Sequence, residues 1–314
     1  MRNFFNVALN TFRESLREPI FFILLCSAIV LIGFFPSLAL FVFREQQKFV
    51  IDSAMATTLS FGLIIAVLCA ASTITREINN GTVLLMMSKP VSRYNFIFAK
   101  TAGVLAALTI FVSLCSLATI LSVQVAGDQF NIDFFSTYAY YGIIALSSTI
   151  GAFKNFISKK SFPESSVYAI SILLPIFILI IQFIPISDNL LPFPSEIIPA
   201  LILLLFAVWT MGAITVTLST KLDLIANLSV SCFIFCLGLI SDYFFSAYAG
   251  TFSLKALLYA IIPNWQFFWL ADALANKTPI PWEYVTLSGL YVIIYLFICG
   301  TISIALFLDK EVAR

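Results

Sequence analysis

The chain has 314 residues, 61% of them hydrophobic and 11% charged, with 33 Phe, no His and a formal net charge of +1. A mean hydropathy of +1.03 excludes a water-soluble domain, because too few polar residues remain to cover one. The expected fold class is therefore all-α: a polytopic α-helical membrane protein, with residues 1–314 forming a single transmembrane domain.

Taken from the N-terminus, the first 18 residues carry Arg2, Arg13, Glu14, Arg17 and Glu18 ahead of any long apolar run, which is not the layout of a cleaved signal. Phe5, Leu9, Phe12 and Leu16 recur at helical spacing while Asn6, Asn10, Arg13 and Arg17 point elsewhere. That pattern predicts an amphipathic helix over residues 1–18 lying in the membrane interface. Pro19 then opens the first span where its missing N–H costs nothing.

A hydrocarbon core about 30 Å thick needs about 20 apolar residues in a helix. By that measure about eight transmembrane helices are expected, at roughly 19–43, 54–75, 96–125, 136–153, 166–187, 196–219, 224–245 and 284–308. The fourth is the shortest. Eight crossings put both termini on one side, and with the N-terminus in the cytoplasm only Arg44, Lys48, Lys255 and Lys277 of the 17 basic residues face out, as the positive-inside rule favours.

A polar break at 76–93 separates the second and third spans. Asn79, Asn80 and Gly81 suit a helix end, and Thr82 suits an N-cap. Val83, Leu84, Leu85, Met86 and Met87 make a short apolar helix, closed by Ser88, Lys89 and Pro90. Five residues cross nothing, and leaving them in water is unfavourable by about 25 cal/mol per Å². The two Met suit an adaptable protein contact, whereas Arg76, Lys89 and Arg93 suit a partner's acids or lipid phosphates. On these residues alone both readings stay open.

Within the spans no carboxylate or base marks the midplane, as a gradient-driven carrier would require. Glu196, Asp223, Asp242 and Lys100 read as span ends, and the only strongly polar groups placed deeper are Gln182 and Asn227, the latter read as a hydrogen-bond partner for a neighbouring helix. There is no G-x-x-x-x-G-K-[ST] phosphate loop. With no His, and no Ser or Cys beside a base, no catalytic set is visible, so the chain is not expected to be an enzyme. The six Cys fall in apolar segments as small hydrophobes, and Cys232 with Cys236, one turn apart, reads as packing and not as metal ligation. Asp128, Asp133, Asp242 and Asp272 read as solvated loop ends.

Between the seventh and eighth spans, residues 246–282 hold two apolar stretches near ten residues each, divided at Pro263 and Asn264. Such lengths suit re-entrant or interfacial helices. Trp265, Phe267, Phe268, Trp269 and Trp282 are rings of the kind that settle at the headgroup level.

Arg76, Glu77, Gly81 and Thr82 (R-E-x-x-x-G-T), then S-K-P-V-S-R at 88–93 and Lys100 seven residues later, resemble the loop between the second and third spans of ABC-2-type transporter permeases. TFRESLREPIFFILL at 11–25 resembles the N-terminal elbow helix of that family. LSTKLDLIANLS at 218–229, GLISDYFF at 238–245 and the tail FLDKEVAR are similar to its later segments. The family commonly has six spans, which puts the surplus of an eight-span count between about 130 and 190.

The resemblance implies a permease subunit of an ATP-driven exporter in a bacterial inner membrane, both termini cytoplasmic. Arg76, Glu77, Gly81, Thr82, Val83, Leu84, Leu85, Met86, Met87, Lys89, Pro90 and Arg93 would form the coupling loop that docks on a cytoplasmic ABC ATPase subunit. Phe5, Leu9, Phe12, Arg13 and Leu16 would belong to the elbow helix, and Pro263, Asn264, Trp265, Phe268 and Trp269 to an outer gate. No cofactor is implied on this chain; ATP and Mg would sit on the partner. The other partners implied are a second permease copy, identical or related, and membrane lipid, with no nucleic acid. A rival reading keeps the permease fold without transport, as a membrane scaffold or an assembly or motility component, and the scarcity of polar residues in the spans keeps it open.

Overall fold

The computed structural model describes residues 2–42, 45–76, 93–126, 132–183, 190–245, 262–275 and 278–312. Helix α1 runs Arg2–Arg17, and α2 runs Pro19–Ala39 with Pro19 at its first position. Helix α3, Gln46–Ala70, continues into a π-helical turn, Ala71–Thr75. Then come α4 (Arg93–Val125), α5 (Phe134–Ser158) and α6 (Phe162–Phe183). A 3₁₀ turn, Ser195–Ile197, leads into α7 (Ile198–Ser219), and α8 spans Leu224–Phe245. A second 3₁₀ turn, Trp265–Phe267, precedes the short α9 (Ala271–Ala275) and the long α10 (Trp282–Val312). Among the described residues the only β-type pairing is a single bridge between Ala126 and Ile132.

A long helix stands at each of the eight expected spans, but among the described residues seven helices, not eight, are long and apolar enough to cross a membrane. The exception is α5, 25 residues long and rich in Ser, Thr and Tyr. Its later Ser hydroxyls turn back onto its own carbonyls: Ser147 Oγ donates to Ile143 O at 2.7 Å and Ser148 Oγ to Ile144 O at 3.0 Å. Such internal bonding lowers the cost of burying a polar residue. The second span also starts earlier than expected, at Gln46, and so takes in Asp52, which the sequence reading left outside it.

The core is where α2, α3, α4 and α7 meet. Ile29 and Ile32 from α2, Met55 and Ile65 from α3, and Leu108 and Phe111 from α4 are fully buried there. Small residues let the helices approach: a Cβ on Gly62 of α3 would press into Val208 of α7, and one on Gly212 of α7 into Leu108 of α4. Close approach at small residues is how helices associate where water does not drive them together. The α5–α6 hairpin lies against α1, α2 and α4, while α10 packs on α7 and α8 on α3 and α7. On the outward surfaces Ile172 and Leu179 of α6, Ile225 and Phe233 of α8, and Ile294 and Phe297 of α10 are exposed.

Candidate functional site: the charged end of the bundle

Three long-range ion pairs gather at one end of the bundle. Lys100 Nζ lies 3.7 Å from Glu14 of α1, Arg17 Nε lies 2.7 Å from Glu164 at the start of α6, and Arg76 lies 3.4 Å from Glu18. They bring together the end of α1, the starts of α2 and α6, the last turn of α3 and the first turns of α4. The segment expected to form the coupling loop leaves and re-enters the described structure here, between Arg76 and Arg93.

Lys100 is the deepest of these groups, 1% exposed. Its ammonium donates to Thr73 O at 3.2 Å and lies 5.9 Å from the centre of the Phe96 ring. An ammonium buried without partners would be costly, so a carboxylate, a carbonyl and a ring face together account for its position. Lys100 was expected at a span end; it stands in the second turn of α4 and is covered because α1 lies across it.

The carbonyl that Lys100 takes belongs to the π turn. Widening a helix by one residue disturbs its regular bonding, and such turns need other partners. Here Ser72 and Thr73 hydroxyls donate to Cys69 O at 3.2 and 2.7 Å. Thr75 Oγ1 is shared between Ser219 O at 3.1 Å and Leu222 O at 3.3 Å, which ties the turn to the end of α7. The last turn before the 77–92 segment is thus held by α4 on one side and α7 on the other.

Helix α1 seats on α4 through small residues. A Cβ on Gly103 would meet Ala8 O and Thr11 Cβ, both at 2.6 Å. Thr11 and Ser15 are fully buried, with their hydroxyls satisfied by Val7 O and Thr11 O at 3.0 Å each. The expected apolar stripe is therefore divided: Leu16 is buried and Phe12 half-buried, while Phe5 (68% exposed) and Leu9 (48%) face outward, as does Arg13. The inward face of Ala8, Thr11 and Ser15 went unread because these residues carry little hydrophobic signal.

Of the other residues expected in the coupling loop, Glu77, Gly81, Thr82, Val83, Leu84, Leu85, Met86, Met87, Lys89 and Pro90 lie outside the described residues, and Arg93 is placed only as the first residue of α4. Between the start of α2, the end of α3 and the start of α8 is a cavity of about 410 Å³, with Phe21, Ile65 and Leu68 in its wall and Glu18, Arg76 and Asp223 among its charged lining.

At the opposite end the outer segment packs in an unexpected way. Trp265 and Phe268, expected at the headgroup level, are each 1% exposed. Gly238 of α8 leaves the notch that admits Trp265, since a Cβ there would strike the Trp265 indole and Pro263 O. Asn264 caps the 3₁₀ turn by accepting from Gln266 N at 2.9 Å and donates to Asp242 at 3.3 Å. Tyr284 Oη donates to Phe267 O at 2.8 Å, and the Phe268 and Tyr291 rings lie 6.1 Å apart, joining the segment to α10. Pro263 is buried and Trp269 half-buried; Phe267 and Trp282 remain exposed, as expected for interfacial rings. The 246–261 stretch lies outside the described residues.

Two other polar expectations resolve differently. Asp133, read as a solvated loop end, is 4% exposed and caps α5, accepting from Phe135 N at 3.2 Å and from the Ser136 hydroxyl. Asn227 does bond a neighbouring helix: Nδ2 donates to Thr215 O at 3.0 Å and Ser219 Oγ at 2.7 Å, and Ser231 donates to its Oδ1.

A bundle of long apolar helices with three long-range ion pairs collected at one end, among the described residues, defines a polytopic α-helical membrane protein. Residues 5–197 match the family described as ABC-2 family transporter protein, and the chain belongs to that family. It is thus an integral membrane protein and a membrane permease component of an ABC transporter, a family whose members work with ABC ATPase subunits. No curated protein matches the chain. The matched region contains all three ion pairs and stops before α7, so the outer segment lies beyond it.

Proposed function

We propose that the chain is the permease subunit of an ATP-driven exporter in a bacterial inner membrane, with both termini cytoplasmic and the charged end facing the cytoplasm. Two permease chains form the path, and separate ATPase subunits bind ATP and Mg. The observation that carries this reading is the Lys100 node, which joins α1, the π turn and α4 at the mouth of the 77–92 segment. In this reading the 83–87 helix docks on the ATPase, and closure of the ATPase pair pushes on α3 and α4 together. Glu14 carries the same movement into α1, so the elbow helix and the coupling loop move as one unit. The outer segment, wedged between α8 and α10, gates the far side.

The test is affinity purification of the tagged protein from its native membrane in mild detergent, with recovered partners identified and ATP hydrolysis measured. A P-loop ATPase recovered in near-equal amount, and lost when Leu84 and Leu85 are replaced by Asn, is the expected result. Intact protein recovered without an ATPase overturns the coupling reading.

The scaffold reading also has an observation in its favour. Thr210, Thr119 and Thr58 deep in the helices are buried and bond their own backbones, so these three hydroxyls are not offered to a path. Proteoliposomes holding the recovered complex separate the two readings: ATP hydrolysis unresponsive to every molecule drawn from the native membrane extract favours the scaffold.

A further inference from the structure

The end of the α5–α6 hairpin stands clear of the rest of the bundle. Gly151 lies against Ser166 and Phe162 O, which sets the first turn of α6 beside this level of α5. Helix α5 then continues through residues 152–158, about 10 Å at 1.5 Å per residue. All of residues 152–160 are exposed. Lys159 takes a left-handed conformation, with φ 50°, to turn the chain, and Asn155 Nδ2 donates to Lys160 O at 2.7 Å to close the tip.

What this tip displays is unusual for a solvated turn. Phe153 is 65% exposed, Phe156 88% and Ile157 61%, and interspersed with them are Lys154, Lys159 and Lys160. Residues 134–163 contain no Asp or Glu. The nearest acid in sequence after the tip, Glu164, is already paired with Arg17. The tip therefore presents large apolar groups and three positive charges together.

Two observations indicate what covers it. At helical spacing Phe153 and Ile157 share the face of α5 that carries Leu146, and Ile172, Ile176 and Leu179 of α6 are likewise exposed on a helix of a membrane bundle. The lysines gather past the end of that surface, up to about 10 Å beyond the level that the Arg17–Glu164 pair and the Phe22–Phe162 ring contact at 5.2 Å define. Aromatic rings at a bilayer boundary with Lys stems reaching past them to phosphates is the arrangement an interfacial anchor takes.

We propose that this tip anchors the permease in an anionic lipid surface: Phe153, Phe156 and Ile157 enter the boundary between headgroups and acyl chains of the cytoplasmic leaflet, while Lys154, Lys159 and Lys160 hold lipid phosphates. The choice of leaflet rests on the orientation proposed above; the contact with anionic lipid does not. Through Glu164 and Arg17 the anchor also fixes the level of α1, so the lipid composition of the leaflet acts on the elbow helix.

The experiment places the photoreactive amino acid p-benzoylphenylalanine at position 156 of the full chain and irradiates it in native membranes. It then repeats this in nanodiscs of phosphatidylcholine, with and without phosphatidylglycerol. Lipid adducts are expected in native membranes, severalfold more abundant when phosphatidylglycerol is present, and that enhancement should vanish in the triple variant Lys154→Gln, Lys159→Gln, Lys160→Gln. Adducts to an ATPase or to a second copy of the chain, or no adducts at all, overturn the anchor. Lipid adducts indifferent to phosphatidylglycerol overturn the headgroup selectivity. The side is read separately by impermeant maleimide labelling of Lys160→Cys, above the level of the unsubstituted chain. Labelling in inverted vesicles alone supports the cytoplasmic leaflet, and labelling in right-side-out vesicles alone overturns that orientation while leaving the lipid contact standing.

Discussion

Lys100 shows how a single side chain can join three elements. Replacing it by Met removes the donor from Thr73 O and leaves Glu14 without its ammonium, a loss of about 1–3 kcal/mol. The expected result is a lower melting temperature in detergent for Lys100→Met, partly restored by adding Glu14→Gln, because the second change removes the stranded charge. Equal melting of the single and double variants would mean that the Glu14 charge carries no penalty once Lys100 is gone. Lys100 was legible as part of a family-like pattern, but its burial was not, since Glu14 and Thr73 reach it from distant parts of the sequence. Asp133 is a second residue misread for a related reason. An Asp ahead of an aromatic run reads equally as a solvated loop or as a cap, and Asp133→Ala should cost α5 about 1 kcal/mol, measured as a drop in thermal stability.

At the scale of elements, close contacts at glycine decide how helices sit. Gly103→Leu forces α1 away from α4, since Ala8 O and Thr11 already fill the space, at about 1–3 kcal/mol of overpacking strain. The variant should be cut by trypsin after Arg13 and Arg17 faster than the unsubstituted protein. Phe5→Ser with Leu9→Ser should leave α1 seated on α4, because those side chains face outward; trypsin sensitivity equal to that of Gly103→Leu would refute the division of faces. At the other end Gly238→Leu fills the notch that holds Trp265, and its tryptophan emission is expected to shift to the red as the ring is displaced. The existence of α1 was plain from its periodicity. Its packing face was not, because Ala, Thr and Ser carry weak hydrophobic signals and their fit appears only against a second helix.

For the whole molecule the count of crossings decides the orientation of the termini. Seven apolar helices would place them on opposite sides, whereas eight alternating long helices place them on one side. The contacts favour eight: Tyr140 Oη donates to Ile29 O at 2.5 Å midway along α2, and Gly151 meets Phe162 and Ser166 near the charged end, so α5 runs alongside full spans. Reporter tags at the two termini are therefore expected on the same face of the membrane, and opposite faces would mean that α5 does not cross.

The positions of the long helices, the polar break at 76–93 and the membrane class followed from the sequence alone. Apolar run length and the placing of Pro, Gly and Asn act between near neighbours along the chain. Those near-neighbour signals ended where meaning depended on which helices meet. Burial of Lys100, the seating of α1 on Gly103, the capture of Trp265 in the Gly238 notch and the bare tip at 152–160 are all outcomes of packing. Only the tertiary structure decided them, because an ion pair or a close contact joins residues far apart in sequence and leaves no periodic trace in either partner.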